Sequence, residues 1–252
     1  MPLSFQSKPG LVVYITCGDP NLAATREIAL AAISAGADVI ELGVPFSDPV
    51  ADGPVIQRAS ERALSRGTSL ADVLKVAAEI RRESEAGLII FSYFNPILRM
   101  GIEEFADRAA QAGVDGALVT DLPIEEADPY LAHMRKRSLA TIFLAAPTST
   151  DQRLSRIAEA SRGFVYGVSR TGVTGTRQEL ADDAQKLVRR LRKFTKLPIA
   201  VGFGISSAQQ FAAVGEFADA AVIGSAIVQL IEKTAPEQAA GAVGKFVAGL
   251  RA

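Results

Sequence analysis

Glu41 sits in Val39-Ile40-Glu41-Leu42-Gly43-Val44, a segment that is otherwise apolar. An ionised carboxylate in such a setting costs several kcal/mol unless it is paired or close to water. Period-two alternation puts Val39, Glu41 and Gly43 on one face of a strand, so the carboxylate can point into a site. Partial burial would lift its pKa toward neutrality, which suits a general acid–base group. Alternatively, a Glu in this position pairs with an interior Arg. Asp52 is less specific. It lies in Asp48-Pro49-Val50-Ala51-Asp52-Gly53-Pro54, where the Pro marks a helix start. An Asp just before that start either complements the helix N-terminus or does chemistry, and the pattern alone leaves both open.

Glycines form a second constellation. One apolar run ends in Val201-Gly202-Phe203-Gly204-Ile205-Ser206, and the next ends in Val222-Ile223-Gly224-Ser225-Ala226. Gly lets a backbone approach an anion closely, a helix N-terminus offers free N–H groups, and Ser225 adds a hydroxyl donor. Gly172-Val173-Thr174-Gly175, after the preceding run, offers a further amide and a mobile lid. Each glycine alone is weak, but three such loops in succession predict a phosphorylated ligand.

Other residues exclude chemistry. The single His rules out paired-imidazole mechanisms and HExxH zinc sites, and the single Cys rules out an internal disulfide framework. Cys17 ends an apolar run and is read as a packed small hydrophobe. His133 falls in a polar helical segment and is read as surface. No Lys lies at a predicted strand C-terminus, which disfavours a Schiff-base aldolase. With 27 Lys+Arg against 28 Asp+Glu, the chain has no uniform field for nucleic acid or anionic membrane. The cluster Lys186, Arg189, Arg190, Arg192, Lys193 and Lys196 lacks interleaved aromatics and is read as a solvated helix face. No signal-peptide pattern opens the chain, and no apolar run reaches the ~18–20 residues of a membrane span, so a cytoplasmic location is expected.

The elements that must position these groups alternate along the whole chain. Predicted strands are Leu11–Cys17, Asp38–Val44, Leu88–Phe94, Gly116–Thr120, Ala140–Ala145, Phe164–Val168, Pro198–Phe203 and Ala220–Gly224. Amphipathic stretches separate them, among them Leu22–Ser34, Leu70–Arg82, Ile102–Ala112 and Glu179–Phe194. Eight units in 252 residues have the size of βα repeats. Strands apolar on both faces, each followed by a helix, imply a parallel sheet covered by helices. The segments Ala35-Gly36-Ala37-Asp38, Ala112-Gly113-Val114-Asp115 and Phe217-Ala218-Asp219-Ala220 each lead from helix to strand and are assigned no chemistry. No linker divides the chain, so one α/β domain over residues 1–252 is expected. Eight parallel units close most simply as a (β/α)8 TIM barrel, whose chemistry belongs at the strand C-termini. An open doubly wound sheet would want a GxGxxG after the first strand, and there is none.

On these residues the chain resembles the tryptophan synthase alpha subunit family from about Leu11 onward. The resemblance rests on Glu41-Leu42-Gly43-Val44-Pro45-Phe46-Ser47-Asp48-Pro49, Ala51-Asp52-Gly53-Pro54, Tyr166, Ser169 through Gly175, Gly202-Phe203-Gly204-Ile205 and Gly224-Ser225-Ala226. It implies cleavage of indole-3-glycerol phosphate to indole and glyceraldehyde 3-phosphate, a lyase reaction that needs no cofactor in this chain. Glu41 would move protons to the indole ring and from the side-chain hydroxyl, and Asp52 would accept the indole N–H. Gly175, Gly204, Gly224 and Ser225 would hold the phosphate. Phe91, Tyr93, Leu118, Tyr166 and Phe203 would line the indole pocket, and Thr174 would belong to the lid. The family implies a beta subunit carrying pyridoxal phosphate, in an alpha2beta2 heterotetramer, with contacts near Pro45 to Asp48 and Asn95-Pro96.

One departure concerns the barrel floor. Family members often plug it with an N-terminal helix, whereas Pro2, Pro9 and Gly10 disfavour a helix before the first strand here. Three other functions compete with the main one. They are a free-standing lyase without a beta partner, another phosphosugar barrel such as an isomerase of histidine synthesis, and a pseudoenzyme that only activates a partner.

Overall fold

The structure is a computed structural model that describes residues 3, 5–168 and 177–251. Among these, parallel strands β1 (Gly10–Thr16), β2 (Val39–Gly43), β3 (Gly87–Ser92), β4 (Gly116–Val119), β5 (Ala140–Ile142), β6 (Leu144–Ala145), β7 (Val165–Val168), β8 (Ile199–Gly202) and β9 (Ala220–Ile223) form one sheet. Its order is β5-β4-β3-β2-β1-β9-β8-β7-β6. The two ends of that order are joined through the single residue Phe143, so the sheet comes round into a nearly closed TIM barrel.

The fifth predicted strand, Ala140–Ala145, is therefore two segments. Its first half pairs with β4 up to Leu118↔Ile142, and its second half pairs with β7 from Leu144↔Tyr166. Barrel closure staggers the register between strands, so a short strand can meet its two neighbours at different heights. The Phe143 carbonyl accepts from the Tyr166 N–H (3.1 Å) and carries the ladder across the join.

Strand alternation sorts the core into two layers. Leu11, Val13 and Ile15 of β1 and Ile40 and Leu42 of β2 face outward onto helices that include Leu22–Ser34 and Leu70–Arg81. Val12, Val39, Ile89, Leu118, Ile142, Ala200, Ala220 and Val222 face inward and fill the barrel. No described helix is long and apolar enough to cross a membrane.

The repeated helix-to-strand segments have a shared structural role. Gly36 and Gly113 adopt φ of +109° and +73°, the left-handed turn that lets a helix end and reverse. The Asp that follows then binds the start of the neighbouring strand. Asp38 accepts from the Leu11 N–H (2.7 Å), Asp115 from Leu88 (2.8 Å) and Asp219 from Ile199 (2.8 Å). An Arg pairs with each carboxylate: Arg251, Arg81 and Arg192 respectively. These groups lie at the strand N-termini and stabilise the lower rim.

The floor is closed by side chains. Leu3 is buried with the interior cluster, Phe5 packs beside it, and the Phe5 and Phe164 rings lie 5.9 Å apart. Gly10, Gly87 and Gly163 make room for them, because a Cβ at Gly10 would collide with Phe5 and one at Gly87 or Gly163 with Leu3. Phe5→Ala is expected to lower unfolding stability by about 2 kcal/mol, less than a fully buried Phe because the ring is partly exposed. Urea unfolding of the variant beside the parent checks this.

Candidate active site

At the opposite end of the barrel a cavity of about 190 Å³ opens among the ends of β1, β2, β3, β7, β8 and β9. Glu41 lies in its wall. Its neighbours along β2, Ile40 and Leu42, face the outer helices, so alternation turns the carboxylate inward as expected. Glu41 is fully buried, and neither Oε1 nor Oε2 has a hydrogen-bond partner among the described residues. An interior Arg partner is thus not what explains this carboxylate. Burial alone pushes its pKa up to about 8.

Asp52 stands on the loop between β2 and the helix Pro54–Ser65. Gly53, and not Asp52, is the N-cap of that helix, and no side chain caps it. The carboxylate turns instead to the loop after β3, where the Tyr93 hydroxyl donates to Asp52 Oδ2 (3.1 Å). The same hydroxyl accepts from the Ala51 N–H (2.9 Å), and Gln57 Nε2 donates to the Asp52 carbonyl (2.9 Å). Burial raises Asp52 to about 6, against the lowering effect of the Tyr93 hydrogen bond. Phe46 packs on Tyr93 with ring centroids 5.0 Å apart, which holds the phenol in place.

The far wall is built from glycine loops and a helix N-terminus. Gly202, Phe203 and Gly204 follow β8, with Gly204 at φ +79°. Gly224 is the N-cap of the helix Ser225–Glu232, so the free N–H groups of its first turn and the Ser225 hydroxyl meet the cavity. A Cβ at Gly202 would lie 2.5 Å from the Tyr166 hydroxyl, so this glycine is needed for the Tyr166 ring to reach over the cavity.

The helices at the two ends are clasped together. Arg62 grips Asp19 with two hydrogen bonds (2.9 and 2.7 Å) and Glu232 with a third (2.9 Å), and Arg58 grips Glu232 with two more (2.8 and 2.9 Å). Asp19, a strand-end carboxylate, is thereby committed to structure. Asp121 likewise accepts the Phe94 N–H (2.7 Å). Cys17 is buried and free, and burial pushes its thiol up to about 12, as befits a packed hydrophobe.

Glu41, Phe91, Tyr166, Phe203, Gly204, Gly224 and Ser225 therefore share one cavity. Asp52 and Tyr93 are hydrogen-bonded to each other and stand outside the lining of that cavity. Leu118 is fully buried in the barrel layer that also holds Ile89 and Ile142 and is not part of the cavity wall. Gly175 and Thr174 lie outside the described residues. Two wall residues, Tyr14 and Ile56, do not stand out in the sequence. Tyr14 was legible in principle, since the alternation that turns Glu41 inward also turns Val12, Tyr14 and Thr16 inward in β1.

Comparison with known proteins agrees with this geometry. The family model for the tryptophan synthase alpha chain matches residues 2–249. The tryptophan synthase alpha chain of Solibacter usitatus is 51% identical over 94% of this chain and 89% of its own length. That of Burkholderia thailandensis is 49% identical over 99% of this chain and 93% of its own. Among solved structures, the tryptophan synthase complex from Pyrococcus furiosus superposes with a TM-score of 0.89 at 37% identity, covering 97% of this chain and 98% of that one. Tryptophan synthase subunit alpha from Legionella pneumophila gives 0.88 at 36% identity, covering 98% and 92%. With a buried carboxylate and a glycine-lined wall at the mouth of the barrel, the chain belongs to the tryptophan synthase alpha chain family.

Proposed function

We propose that this chain, acting as one barrel domain, cleaves indole-3-glycerol phosphate to indole and D-glyceraldehyde 3-phosphate. The observation that carries this is Glu41, a buried carboxyl without a partner among the described residues, sharing one cavity with an amide-rich helix N-terminus. Glu41, protonated near neutrality, gives its proton to C3 of the indole ring. The bond from C3 to the side chain then breaks, and its electron pair returns to the ring to restore indole. The hydroxyl on the departing carbon yields its proton to Glu41 and becomes the aldehyde carbonyl, which resets the acid. Asp52, ionised, accepts the indole N–H and stabilises the positive charge that forms on the ring before cleavage.

The indole would lie among Phe91, Tyr166 and Phe203, with Tyr93 and Leu118 behind. Gly204, Gly224 and Ser225 would take the phosphate, joined by Gly175, with Thr174 closing over the site. Because the protonated ring is its own electron sink, the reaction asks for no cofactor from this chain. Pyridoxal phosphate belongs to the beta subunit, with which the chain would form an alpha2beta2 heterotetramer in the cytoplasm. Support for that partner comes from the loop after β2 and the short helix Phe94–Met100 after β3. Pro45, Phe46, Asn95 and Pro96 border a cleft of about 620 Å³, and the exposed large apolar residues among those described, Val50 and Leu98, lie on that same loop and that same helix. Indole release from indole-3-glycerol phosphate, measured with and without a beta subunit, tests the activity. Co-purification with a pyridoxal-phosphate protein separates the assembly from a free-standing lyase.

The two pKa values set the pH profile. Ionisation of Asp52 opens activity as pH rises through about 6, and loss of the Glu41 proton closes it through about 8. Tyr93→Phe removes the hydrogen bond that lowers Asp52, so the rising limb of kcat/KM should move to higher pH while the falling limb stays. A profile whose limbs both stay, or both move, would count against these assignments.

A further inference from the structure

Tyr14 occupies the stretch of wall between the two ends of the site. In the β1–β2 ladder its Cα partner is Glu41, and on the other side β1 pairs with β9 through Val12↔Val222 and Val13↔Ile223. Continuing that register by one residue brings Tyr14 beside Gly224, the N-cap at the anion end. A Cβ at Gly224 would indeed sit 3.4 Å from the Tyr14 Cβ. The ring reaches up over Gly43, where a Cβ would lie 2.3 Å from the hydroxyl, and stands edge-on to Phe91 with centroids 5.0 Å apart. Ala59 and Val228 pack with it from the helices Pro54–Ser65 and Ser225–Glu232, which fixes the phenol from behind.

The hydroxyl so placed is underused. Its hydrogen-bond partner among the described residues is Thr16 Oγ1 at 3.4 Å, a long contact, although the residue is buried and lines the cavity. Asp52 and Glu41 both lie near enough to influence it electrostatically. A buried hydroxyl with spare capacity is stabilised by a ligand group that completes it.

The substrate in the proposed reaction has three side-chain carbons. The first carries the hydroxyl that Glu41 deprotonates, and the third carries the phosphate held at Gly224. The middle carbon, with the remaining hydroxyl, must cross the wall between them, where Tyr14 stands. We infer that Tyr14 is a specificity-determining residue whose hydroxyl hydrogen-bonds the middle hydroxyl of the glycerol phosphate chain. This rests on the proposed function and adds to it the selection of a dihydroxylated chain over a deoxygenated one.

The test is a cycle of two enzymes and two substrates. Full-length chain and its Tyr14→Phe variant, each with a beta subunit, are assayed for indole release from indole-3-glycerol phosphate and from the analogue lacking only the middle hydroxyl. The unsubstituted enzyme is expected to favour the natural chain by about tenfold in kcat/KM, the worth of one such hydrogen bond, and Tyr14→Phe should abolish that preference. Melting temperatures within a few degrees of each other establish that the variant is folded. If Tyr14→Phe keeps the preference, or lowers kcat/KM equally for both substrates, the role of Tyr14 is overturned while the activity stands. If the unsubstituted enzyme releases no indole from either substrate, the activity falls and this inference with it.

Discussion

Glu41→Gln folds normally, yet releases indole at least ~10²-fold more slowly, with the loss in kcat and kcat/KM together. The amide keeps the shape of the side chain and removes the proton that must reach the indole ring. Stability is expected to move the other way at alkaline pH. In the folded protein Glu41 holds its proton up to about 8, because burial penalises the carboxylate, whereas in the unfolded chain it ionises in the usual range near 4.5. Between those values the folded state binds the extra proton, so raising the pH through that window draws stability away. Gln carries no such linkage. The variant should therefore melt above the parent at pH 8, and the gap should close toward pH 4.5. Thermal melts across that range, read beside the assay, check both directions. Near-parental turnover would remove Glu41 from the mechanism, and a variant less stable than the parent at pH 8 would show that the carboxylate is not held under strain.

Ser225→Asp attacks the other end of the site. Ser225 is the first residue of the helix Ser225–Glu232, and a carboxylate there complements the helix dipole by roughly 0.3–1 kcal/mol. The fold should be as stable as before or slightly more so. A bound phosphate is expected at that same N-terminus, and the substitution both removes a hydroxyl donor and sets a negative charge against it. Like charges about 4 Å apart at an effective dielectric of about 20 repel by about 4 kcal/mol, enough for a ~10²-fold or greater rise in KM. Calorimetric titration with glycerol phosphate, together with KM for the full substrate, measures the effect. Unchanged binding would place the phosphate elsewhere. The pair of substitutions also separates the two ends of the site, since the first is read in kcat and the second in KM.

The two candidate carboxylates show how far local pattern reaches. Glu41 is conspicuous because one charged residue interrupts an apolar strand, and alternation then settles which way it points. Asp52 has no such signature. What draws it away from the helix cap is the Tyr93 hydroxyl, which follows a different strand. Tyr14 obeys the same alternation as Glu41, but an aromatic in an apolar strand looks like core. Only the neighbours on either side, Glu41 in β2 and Gly224 beside β9, make it part of the site.

The sequence by itself determined the alternation of strands and helices, the barrel class and most of the residues that line the cavity at the strand C-termini. Those properties follow from period, turn chemistry and strand polarity, which are local. The tertiary structure decided the division of the fifth strand at Phe143, the closure of the floor by Leu3 and Phe5, the binding of three strand starts by the Asp of a neighbour, and the hydrogen bond that places Asp52. All of these depend on the stagger between neighbouring strands and on side chains far apart in the chain. Barrel closure sets them collectively, and no short window of sequence contains them.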